Sequence, residues 1–539
     1  MKRRSFITGG SALLAGSGLG VAAAAPDAVG PGFDREFDLV VVGSGTGLAA
    51  ALIAASEGLS VLVLEKAGVI GGTTLVSGGV LWVPVNRVMQ REGLDDNRDD
   101  AKRYLTRLSR GQASAEIIDA FIDNGADMLE AVERHSPIRW RVSRFMGRMP
   151  DYHAEWPGAM IHGRSVETAV EAAGALGGHL ISLLYEGCLA AGVEFWTEAP
   201  AQRLITTELS GSRRVSGIQV RRGTVTQNVR AHRGVILATG GFERNAEMKT
   251  HFLRGPSPYT LGAPGNRGDG IHMGMAVGAD LRNMNECWHL VVYKALAEAQ
   301  GHLAGGAGLF GQVDKTQPGA IVVNRHGERF FNEAGSYDAS WQSFHTWENW
   351  GDFRYRNLPA YTLSDHALRE AGFVAGCRAG EPLPEWVLQA DTLEGLAVQA
   401  GINAAALQRT VERFNRHAAQ GRDPDYHRGE SLMDTLGSGD AADTLRPLTE
   451  GPYYLAEISP ADLGTSGGLR VNGKAQVVDV FDQPIPGLYA SGNTAGVGGP
   501  GALYGGGGGT LGPAMTFAYI AARHAAGAEA YSAVPREGA

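Results

Sequence analysis

The sequence has little of what marks several common classes of protein. Only three of its 539 residues are cysteines, and Cys188, Cys287 and Cys377 lie far apart in the chain. Three scattered thiols are too few for a disulfide framework, and their spacing does not fit a zinc site. The motif Cys-x-x-Cys-His is absent, which excludes covalent attachment of a c-type haem. We therefore interpret the cysteines as ordinary buried thiols and expect no metal site.

Positive charge and long apolar runs are also scarce. Lysine and arginine together number 48 against 57 aspartates and glutamates, so the formal net charge is −9. No basic run is long enough to follow a phosphate backbone, which argues against nucleic acid as a partner. No segment after the N-terminal region reaches the ~18 consecutive apolar residues of a membrane span, so we expect none in the mature chain. The length predicts two or more domains.

Positive charge is concentrated at one place, the N-terminus. Residues 2–4 are all basic and precede a Gly- and Ala-rich stretch that ends in small residues suited to signal peptidase. The run from Arg3 to Ile7 resembles the twin-arginine signal, although Thr8 stands where a lysine is usual. We expect residues 1–25 to be an export signal that sends the folded protein to the periplasm. The alternatives are a disordered basic N-terminus on a cytoplasmic protein and an uncleaved anchor.

Glycine is in excess, with 77 residues, about twice the usual share. The first glycine cluster belongs to a nucleotide-binding pattern. Phe37–Val42 is typical of a buried strand, the run from Gly43 to Gly47 of a tight turn, and Leu48–Ala55 of a helix. A second strand, Leu59–Leu64, is followed by Glu65. Glycines in such a turn let the backbone approach a pyrophosphate, and the acidic residue binds the adenosine ribose.

Three further glycine-rich segments favour a flavin over a nicotinamide cofactor. They are Gly71–Gly79, Gly234–Gly241 and Gly487–Asn493. A nicotinamide site is completed locally, whereas a flavin site is assembled from both ends of the chain because the isoalloxazine ring lies far from the adenine. Together these segments resemble those of the fumarate reductase and succinate dehydrogenase flavoprotein superfamily. The resemblance covers about residues 34–530.

The C-terminal glycine cluster bears on the substrate. Members of that superfamily that act on dicarboxylates use arginine and histidine here, but residues 493–517 contain no Arg, Lys or His. A fumarate-type substrate is therefore not expected. Tyr504 instead precedes five glycines, Gly505–Gly509, and a phenol beside bare backbone N–H groups suits the oxygen of a neutral carbonyl. We expect a helix from Thr510 onward, with an N-terminus that stabilises negative charge on the reduced flavin.

Several segments are similar to those of the 3-ketosteroid Δ1-dehydrogenases. The matching segments are Ser77–Pro84, Pro150–Tyr152, Arg329–Tyr337, Asp462–Gly468 and Tyr504–Gly508. Ser336 and Gly505 each stand where that family usually has proline. The residues between Tyr152 and Ser165 form a more compact segment than the family has. The catalytic positions of the family are nevertheless all matched, and in the same order.

This resemblance implies FAD-dependent 1,2-dehydrogenation of a 3-ketosteroid by four catalytic residues. The Tyr504 hydroxyl and the Gly508 N–H would polarise the 3-keto oxygen and acidify the neighbouring C2–H. Tyr337 would take the C2 proton, while flavin N5 accepts the C1 hydrogen as hydride. Because an unperturbed tyrosine has a pKa near 10, we expect Tyr152 to form a hydrogen bond with Tyr337 and favour its phenolate.

The resemblance also implies the domain organisation. The expected fold is α/β, with a Rossmann-type FAD-binding domain built from residues 34–278 and 465–530. An inserted α+β substrate domain is expected at residues 279–464, which lack the glycine signature and show helical patterns near Leu393–Gln420.

The expected cofactor is FAD, held by residues in the glycine-rich segments and near the strand ends. These residues are Gly43, Ser44, Gly45, Gly47, Glu65, Lys66, Gly72, Thr73, Thr74, Ser77, Gly78, Gly79, Thr239, Gly240, Gly241, Gly492, Asn493, Gly508, Thr510 and Leu511. No His or Cys occurs in segments 43–49, 71–79 or 487–512, so we expect non-covalent binding. The expected partners are a 3-ketosteroid or similar hydrophobic cyclic ketone, and a quinone or other external electron acceptor.

Three alternatives remain open from the sequence. The first is a related flavin desaturase acting on another cyclic ketone, such as a Δ4 dehydrogenase or a small-ring desaturase. The second is an ene-reductase that works in the opposite direction on a neutral enone. The third is a flavin-binding protein without catalysis, against which the presence of all three tyrosines argues.

Overall fold

The computed structural model describes residues 32–144, 148–169, 176–209, 212–300, 310–436, 440–497 and 503–527. The predicted export signal, residues 1–25, lies outside the described residues. The strands are β1 (Arg35–Val42), β2 (Val61–Leu64), β3 (Leu81–Trp82), β4 (Trp140–Val142), β5 (Ser165–Thr168), β6 (Glu194–Trp196), β7 (Ala201–Leu209), β8 (Ser212–Arg222), β9 (Val225–Leu237), β10 (Tyr259–Thr260), β11 (Leu281–Arg282), β12 (Cys287–Tyr293), β13 (Ala320–Asn324), β14 (Ala360–Ser364), β15 (Phe373–Val374), β16 (Cys377–Arg378), β17 (Leu388–Ala390), β18 (Tyr453–Thr465), β19 (Gly468–Leu469), β20 (Gln476–Val478) and β21 (Pro484–Ala490).

The α-helices are α1 (Gly47–Ser56), α2 (Gly72–Leu75), α3 (Arg87–Arg91), α4 (Arg98–Ser109), α5 (Ala115–His135), α6 (Leu176–Ala190), α7 (Ala246–Phe252), α8 (Asp269–Ala276), α9 (Lys294–Gln300), α10 (Phe310–Asp314), α11 (His366–Ala371), α12 (Leu393–Ala400), α13 (Ala404–Ala418), α14 (Ala441–Thr444) and α15 (Leu511–Gly527). Among the residues that the structure describes, 3-10 helices span Tyr337–His345 and Gly492–Ala495.

The larger sheet contains the nucleotide-binding pattern of the sequence. Within the described residues it has eight strands, in the order β20-β21-β9-β1-β2-β6, with β7 and β8 attached through β9. β1 pairs in parallel with β2 and β9, and β21 pairs in parallel with β9. The residues from Leu39 to Val42 in β1 are all buried, as expected for a central parallel strand covered on both faces. Since β21 comes from the C-terminal part of the chain, glycine segments from both ends meet at one edge of this sheet.

The smaller sheet is centred on the long strand β18. Its order is β10-β18-β14-β13, and β12 and β17 also pair with β18. All its pairings are antiparallel except that of β10 with β18. On one side α13 buries Leu407, Val411 and Phe414, which are spaced so as to lie on one helix face. α12 and α13 confirm the helices expected near residues 393–420.

The predicted α/β fold class with its Rossmann-type unit is therefore confirmed. The strands of the smaller sheet lie between Tyr259 and Thr465, and those of the larger sheet lie before and after them. By their contacts, the described residues from Phe33 onward form one unit, so the boundaries expected at 278 and 464 stay a prediction. No helix in the described part of the chain combines the length and apolarity needed to cross a membrane.

Candidate active site

A large cavity lies where the loops after the parallel strands meet residues of the smaller sheet. Its volume is about 1480 Å³. Pockets for a single small ligand usually measure roughly 300–1,000 Å³. The cavity is therefore large enough for a cofactor and a second molecule.

The N-terminal glycine turn forms one end of this cavity. Gly43 has a φ of +102°, and a Cβ there would lie 2.2 Å from the Ala238 carbonyl oxygen, so only glycine fits. The Ser44 hydroxyl donates to Oε2 of Glu65 at 2.6 Å, and the Ser44 N–H donates to the same oxygen at 3.1 Å. Oε1 of Glu65 accepts from the Ala67 N–H at 2.9 Å. The carboxylate is thus fixed at the end of β2, and Oε1 keeps a lone pair for a ribose hydroxyl.

Near the same end, the cavity wall is formed where the segment after β2 contacts the segment after β10. The Thr73 hydroxyl oxygen accepts from the Ala263 N–H at 2.9 Å and from the Asn266 side-chain amide at 3.0 Å. Lys66 donates to Asp269 at 2.5 Å. All five residues line the cavity. These bonds fix the width of the nucleotide end.

The residues predicted to bind FAD line this cavity, with the exceptions of Gly47 and Gly241. Gly47 is the first residue of α1, and a Cβ there would lie 3.0 Å from the Val41 side chain. A Cβ on Gly241 would lie 2.2 Å from the Thr465 hydroxyl oxygen. Both glycines therefore allow close packing behind the wall, and neither lies on its surface.

The residues present fit FAD. Gly43 and Gly45 leave bare backbone beside the start of α1, where the unpaired N–H groups of a helix attract a pyrophosphate. Glu65 would hold the ribose. Gly78 and Gly79, which also line the cavity, would lie with the start of α15 against the flavin ring. Thr510 and Leu511, at that helix start, also line the cavity.

The three tyrosines predicted to be catalytic form one cluster on the cavity wall. The Tyr152 hydroxyl donates to the Tyr337 hydroxyl oxygen at 3.3 Å. The ring centres of Tyr337 and Tyr504 are 5.5 Å apart, and those of Tyr152 and Tyr504 are 6.2 Å apart. Trp288 packs on Tyr504 with a ring separation of 4.6 Å. The structure therefore brings together residues that are separated by more than one hundred positions in the chain.

Tyr152 is held by a buried polar network that the sequence did not predict. Its N–H donates to the Gly505 carbonyl at 3.1 Å. Asp151, the preceding residue, accepts from the Trp82 indole N–H at 2.8 Å and forms an ion pair with Arg164. Burial raises the pKa of Asp151 to about 6, while Arg164 opposes the rise. The network ties Tyr152 to the glycine segment that follows Tyr504.

The five consecutive glycines after Tyr504 lie in closely packed surroundings. A Cβ on Gly506 would lie 2.6 Å from the Trp82 ring, and one on Gly507 would lie 2.5 Å from the end of the Met149 side chain. Gly508 has a φ of +90°, and its carbonyl accepts from the Trp82 N–H at 3.0 Å. Within the described part of the chain the Gly508 N–H donates to no acceptor. This N–H is therefore available to a ligand oxygen, as its predicted role requires.

The tyrosine pair is less acidic than the sequence suggested. Burial is the largest cause that raises the pKa of Tyr152 and of Tyr337 well above the usual 10. Tyr152 and Asp338 raise the pKa of Tyr337 further, and Tyr504 opposes the rise. The hydrogen bond between Tyr152 and Tyr337 is present, but the expectation that it favours the Tyr337 phenolate is wrong here. Withdrawal from water is the largest cause of the raised pKa, and the neighbouring Tyr152 hydroxyl does not offset it.

Sequence reasoning missed several residues on the cavity wall. Ala263, Asn266 and Asp269 come from a segment whose own glycines, at 262, 265 and 268, were a signal that could have identified it. Trp288, Met433 and Leu436 pack around the tyrosines, and no motif marks them.

Comparisons with known proteins place the chain in a family. It matches the family described as FAD binding domain over residues 38–511. It is 35% identical over 572 residues to a 3-oxosteroid 1-dehydrogenase of Mycobacterium tuberculosis. The alignment covers 91% of this chain and 98% of that relative. It is 34% identical over 545 residues to a 4-oxocyclohexanecarboxylate 2-dehydrogenase of Sinomonas cyclohexanicum. That alignment covers 91% of this chain and 93% of that relative.

A solved structure supports the same grouping. The 3-ketosteroid Δ1-dehydrogenase of Sterolibacterium denitrificans, in complex with 1,4-androstadiene-3,17-dione, has a TM-score of 0.81 at 30% identity. The match covers 92% of this chain and 100% of that one. Both the predicted family and FAD as the cofactor are confirmed. The chain belongs to the FAD-dependent dehydrogenase family that includes the 3-oxosteroid 1-dehydrogenases, and it is an oxidoreductase acting on CH–CH bonds.

Proposed function

We propose that this protein catalyses FAD-dependent 1,2-dehydrogenation of a 3-ketosteroid. The observation that carries the proposal is the convergence of Tyr152, Tyr337, Tyr504 and the unpaired Gly508 N–H on one wall of a cavity large enough for two molecules. The relatives named above include enzymes that act on 3-oxosteroids. An apolar cavity wall suits the body of a steroid.

The residues of the chain divide the work between two functions. The Tyr504 hydroxyl and the Gly508 N–H donate hydrogen bonds to the 3-keto oxygen, and they bind it more strongly as negative charge develops there. The Tyr337 oxygen accepts the proton from C2, while the Tyr152 hydroxyl orients that oxygen. FAD, when bound, supplies the acceptor for the C1 hydrogen. The surrounding apolar side chains exclude water from the reacting atoms.

The charge of the cavity favours a neutral substrate over a carboxylate. Among the described residues that line it, Lys66 is the one cation, and its partner Asp269 neutralises it at the nucleotide end. The remaining wall is apolar apart from uncharged polar groups and three acids, Glu65 at the nucleotide end and Asp434 and Asp443 elsewhere. A substrate carboxylate there would be desolvated without a positive partner, which costs free energy. This contrasts with the carboxylate named for the Sinomonas relative.

A substrate comparison tests the proposed function. Purified holoenzyme is mixed anaerobically with androst-4-ene-3,17-dione, with 4-oxocyclohexanecarboxylate, or with the methyl ester of that acid, and flavin absorbance is followed. We expect the steroid to bleach the flavin with the highest second-order rate constant, and the acid to react about tenfold or more slowly than its neutral ester. The steroid product should be the 1,4-diene. Bleaching by the acid but not by the steroid would contradict the proposal and favour a small-ring desaturase.

The raised pKa of Tyr337 predicts how the reaction depends on pH. Only the deprotonated residue accepts the C2 proton, and burial holds its pKa well above 10. The deprotonated fraction, and with it the rate of flavin reduction, should therefore rise by up to about tenfold per pH unit below that pKa. Stopped-flow reduction with the steroid between about pH 7 and pH 10 checks this. A rate that is flat over this range would show that Tyr337 does not titrate as the base.

We further propose non-covalent FAD, an external acceptor such as a quinone, and export. The described residues that line the cavity include neither His nor Cys, the usual points of flavin attachment. The residues from Arg3 to Ile7 support export in the folded state. Replacing Arg3 and Arg4 by lysine should leave flavin-loaded protein in the cytoplasm, as cell fractionation would measure. Unchanged delivery to the periplasm would contradict the twin-arginine interpretation.

A further inference from the structure

Asp338 lies at the point where the catalytic segments meet. It directly follows Tyr337 at the start of a 3-10 helix, and it is buried. Its Oδ2 accepts a hydrogen bond from the Tyr504 N–H at 2.6 Å, across 166 positions of sequence. One carboxylate thus joins the segment that carries the proton acceptor to the segment that carries the carbonyl donor.

We propose that Asp338 is a positioning residue that fixes the Tyr504 hydroxyl and the Gly508 N–H relative to the Tyr337 hydroxyl. This inference rests on the proposed function. The two groups must reach neighbouring substrate atoms, the carbonyl oxygen and a hydrogen on the next carbon, at the same time. A displacement of about 1 Å at such a site can cost about 10²-fold in rate.

The glycine segment after Tyr504 depends on bonds from other parts of the chain. The Tyr104 hydroxyl donates to the Gly505 carbonyl at 2.8 Å, and the Ser165 hydroxyl donates to the Gly507 carbonyl at 2.6 Å. These bonds connect the segment to α4 and β5, whereas the Asp338 bond connects it to the Tyr337 segment. A bond to an ionised carboxylate is stronger than one between neutral groups. It therefore holds the two segments in register.

Asp338 has two effects on the site that act in opposite directions. Its negative charge disfavours the Tyr337 phenolate, whereas the hydrogen bond that it accepts fixes the Tyr504 segment. The ionisable groups that interact with it are Tyr104, Tyr152, His153, Tyr337 and Tyr504. Its negative charge raises the pKa of each of the four tyrosines, including the base. Burial raises the pKa of Asp338 itself, and His153 opposes that rise by favouring the ionised carboxylate. Because the charge of Asp338 disfavours the Tyr337 phenolate, its contribution to catalysis comes from the hydrogen bond that it accepts from the Tyr504 N–H.

Two variants of the holoenzyme test the proposal. Asp338→Asn keeps an oxygen that accepts from the Tyr504 N–H, whereas Asp338→Ala does not, and both remove the charge. Both should move the alkaline rise in flavin reduction to lower pH, because the Tyr337 pKa falls. Asp338→Ala should be at least about tenfold slower than Asp338→Asn at every pH. The steroid dissociation constants should agree within about threefold.

A matched control is Asp314→Asn. The Asp314 carboxylate is also buried and accepts from a backbone N–H, that of Gly376 at 2.8 Å, but it does not line the cavity. This variant should lose stability without a change in the pH profile. If Asp338→Ala fails to retain FAD, Asp338→Glu takes its place in the test. Glutamate keeps the negative charge but displaces the oxygen that accepts from the Tyr504 N–H. Flavin reduction should therefore slow, and its alkaline rise should not move to lower pH.

Each result either supports or overturns the inference. Equal reduction rates for Asp338→Ala and Asp338→Asn would overturn it, as would a wild-type rate for Asp338→Glu. If the wild-type enzyme is not reduced by any 3-ketosteroid, the proposed function fails and the inference fails with it. If the wild-type enzyme reacts normally with a 3-ketosteroid but Asp338→Ala and Asp338→Asn reduce flavin at equal rates, only the positioning role is refuted.

Discussion

Replacing Tyr337 with phenylalanine should slow flavin reduction by a 3-ketosteroid by on the order of 10²-fold or more. The change removes the hydroxyl that accepts the C2 proton and keeps the ring. The contacts of that ring with Tyr152 and Tyr504, at centre separations of 5.4 and 5.5 Å, are retained. Packing and FAD content should therefore survive, and substrate affinity should change little. Anaerobic stopped-flow measurements give the rate and the dissociation constant together.

A second measurement separates loss of the base from a general disturbance. Exchange of the C2 hydrogen with solvent deuterium should fall in parallel with flavin reduction, because both require proton removal. Tyr185→Phe is a matched control: Tyr185 packs on Phe195 and does not line the cavity. It should react at the wild-type rate. If flavin in Tyr337→Phe is reduced at the wild-type rate, Tyr337 is only part of the pocket wall and another group must be the base.

The nucleotide end of the site could be predicted because its determinants are local. A buried strand, a glycine turn, a helix and a second strand ending at Glu65 follow one another in the sequence, and physical rules for each element apply within a few residues. Gly43 illustrates this, since the close approach to Ala238 leaves room for no side chain. The tyrosines were identified through family motifs. Their spacing in the sequence says nothing of their proximity.

The parts that escaped prediction depend on contacts between distant segments. The bond from Tyr504 to Asp338 spans 166 positions, and no local pattern encodes it. The glycines at 506 and 507 look like a flexible loop in the sequence. In the structure the Trp82 ring leaves no room for a side chain at Gly506, and the end of the Met149 side chain packs against Gly507. Such steric reasons become visible only when the tertiary neighbours are known.

The acidity of the base is the clearest difference between expectation and structure. From the sequence, a second tyrosine near Tyr337 was sufficient reason to expect a more acidic phenol. The structure adds burial, which disfavours any buried anion, and the negative charge of Asp338. Both are collective properties of the fold, so a motif that names the residue does not give its pKa.

Replacing Tyr504 with phenylalanine should lower kcat/KM for the steroid by about 10²–10³-fold, the usual cost of removing one donor to a developing oxyanion. The ring should keep its packing on Trp288, and the backbone N–H of residue 504 still donates to Asp338. The Gly508 N–H would remain as the other donor, which accounts for the residual activity. Because the bond to the ground-state carbonyl is also lost, the dissociation constant should rise, unlike in Tyr337→Phe.

The pH profile distinguishes the two tyrosine variants. In Tyr504→Phe the base is intact, so flavin reduction should still rise with pH, whereas Tyr337→Phe should lose that rise. Stopped-flow reduction of each variant across the alkaline range measures this. Unaltered C2 exchange in Tyr504→Phe would mean that this hydroxyl does not activate the carbonyl, and Gly508 would then be the donor that acidifies C2.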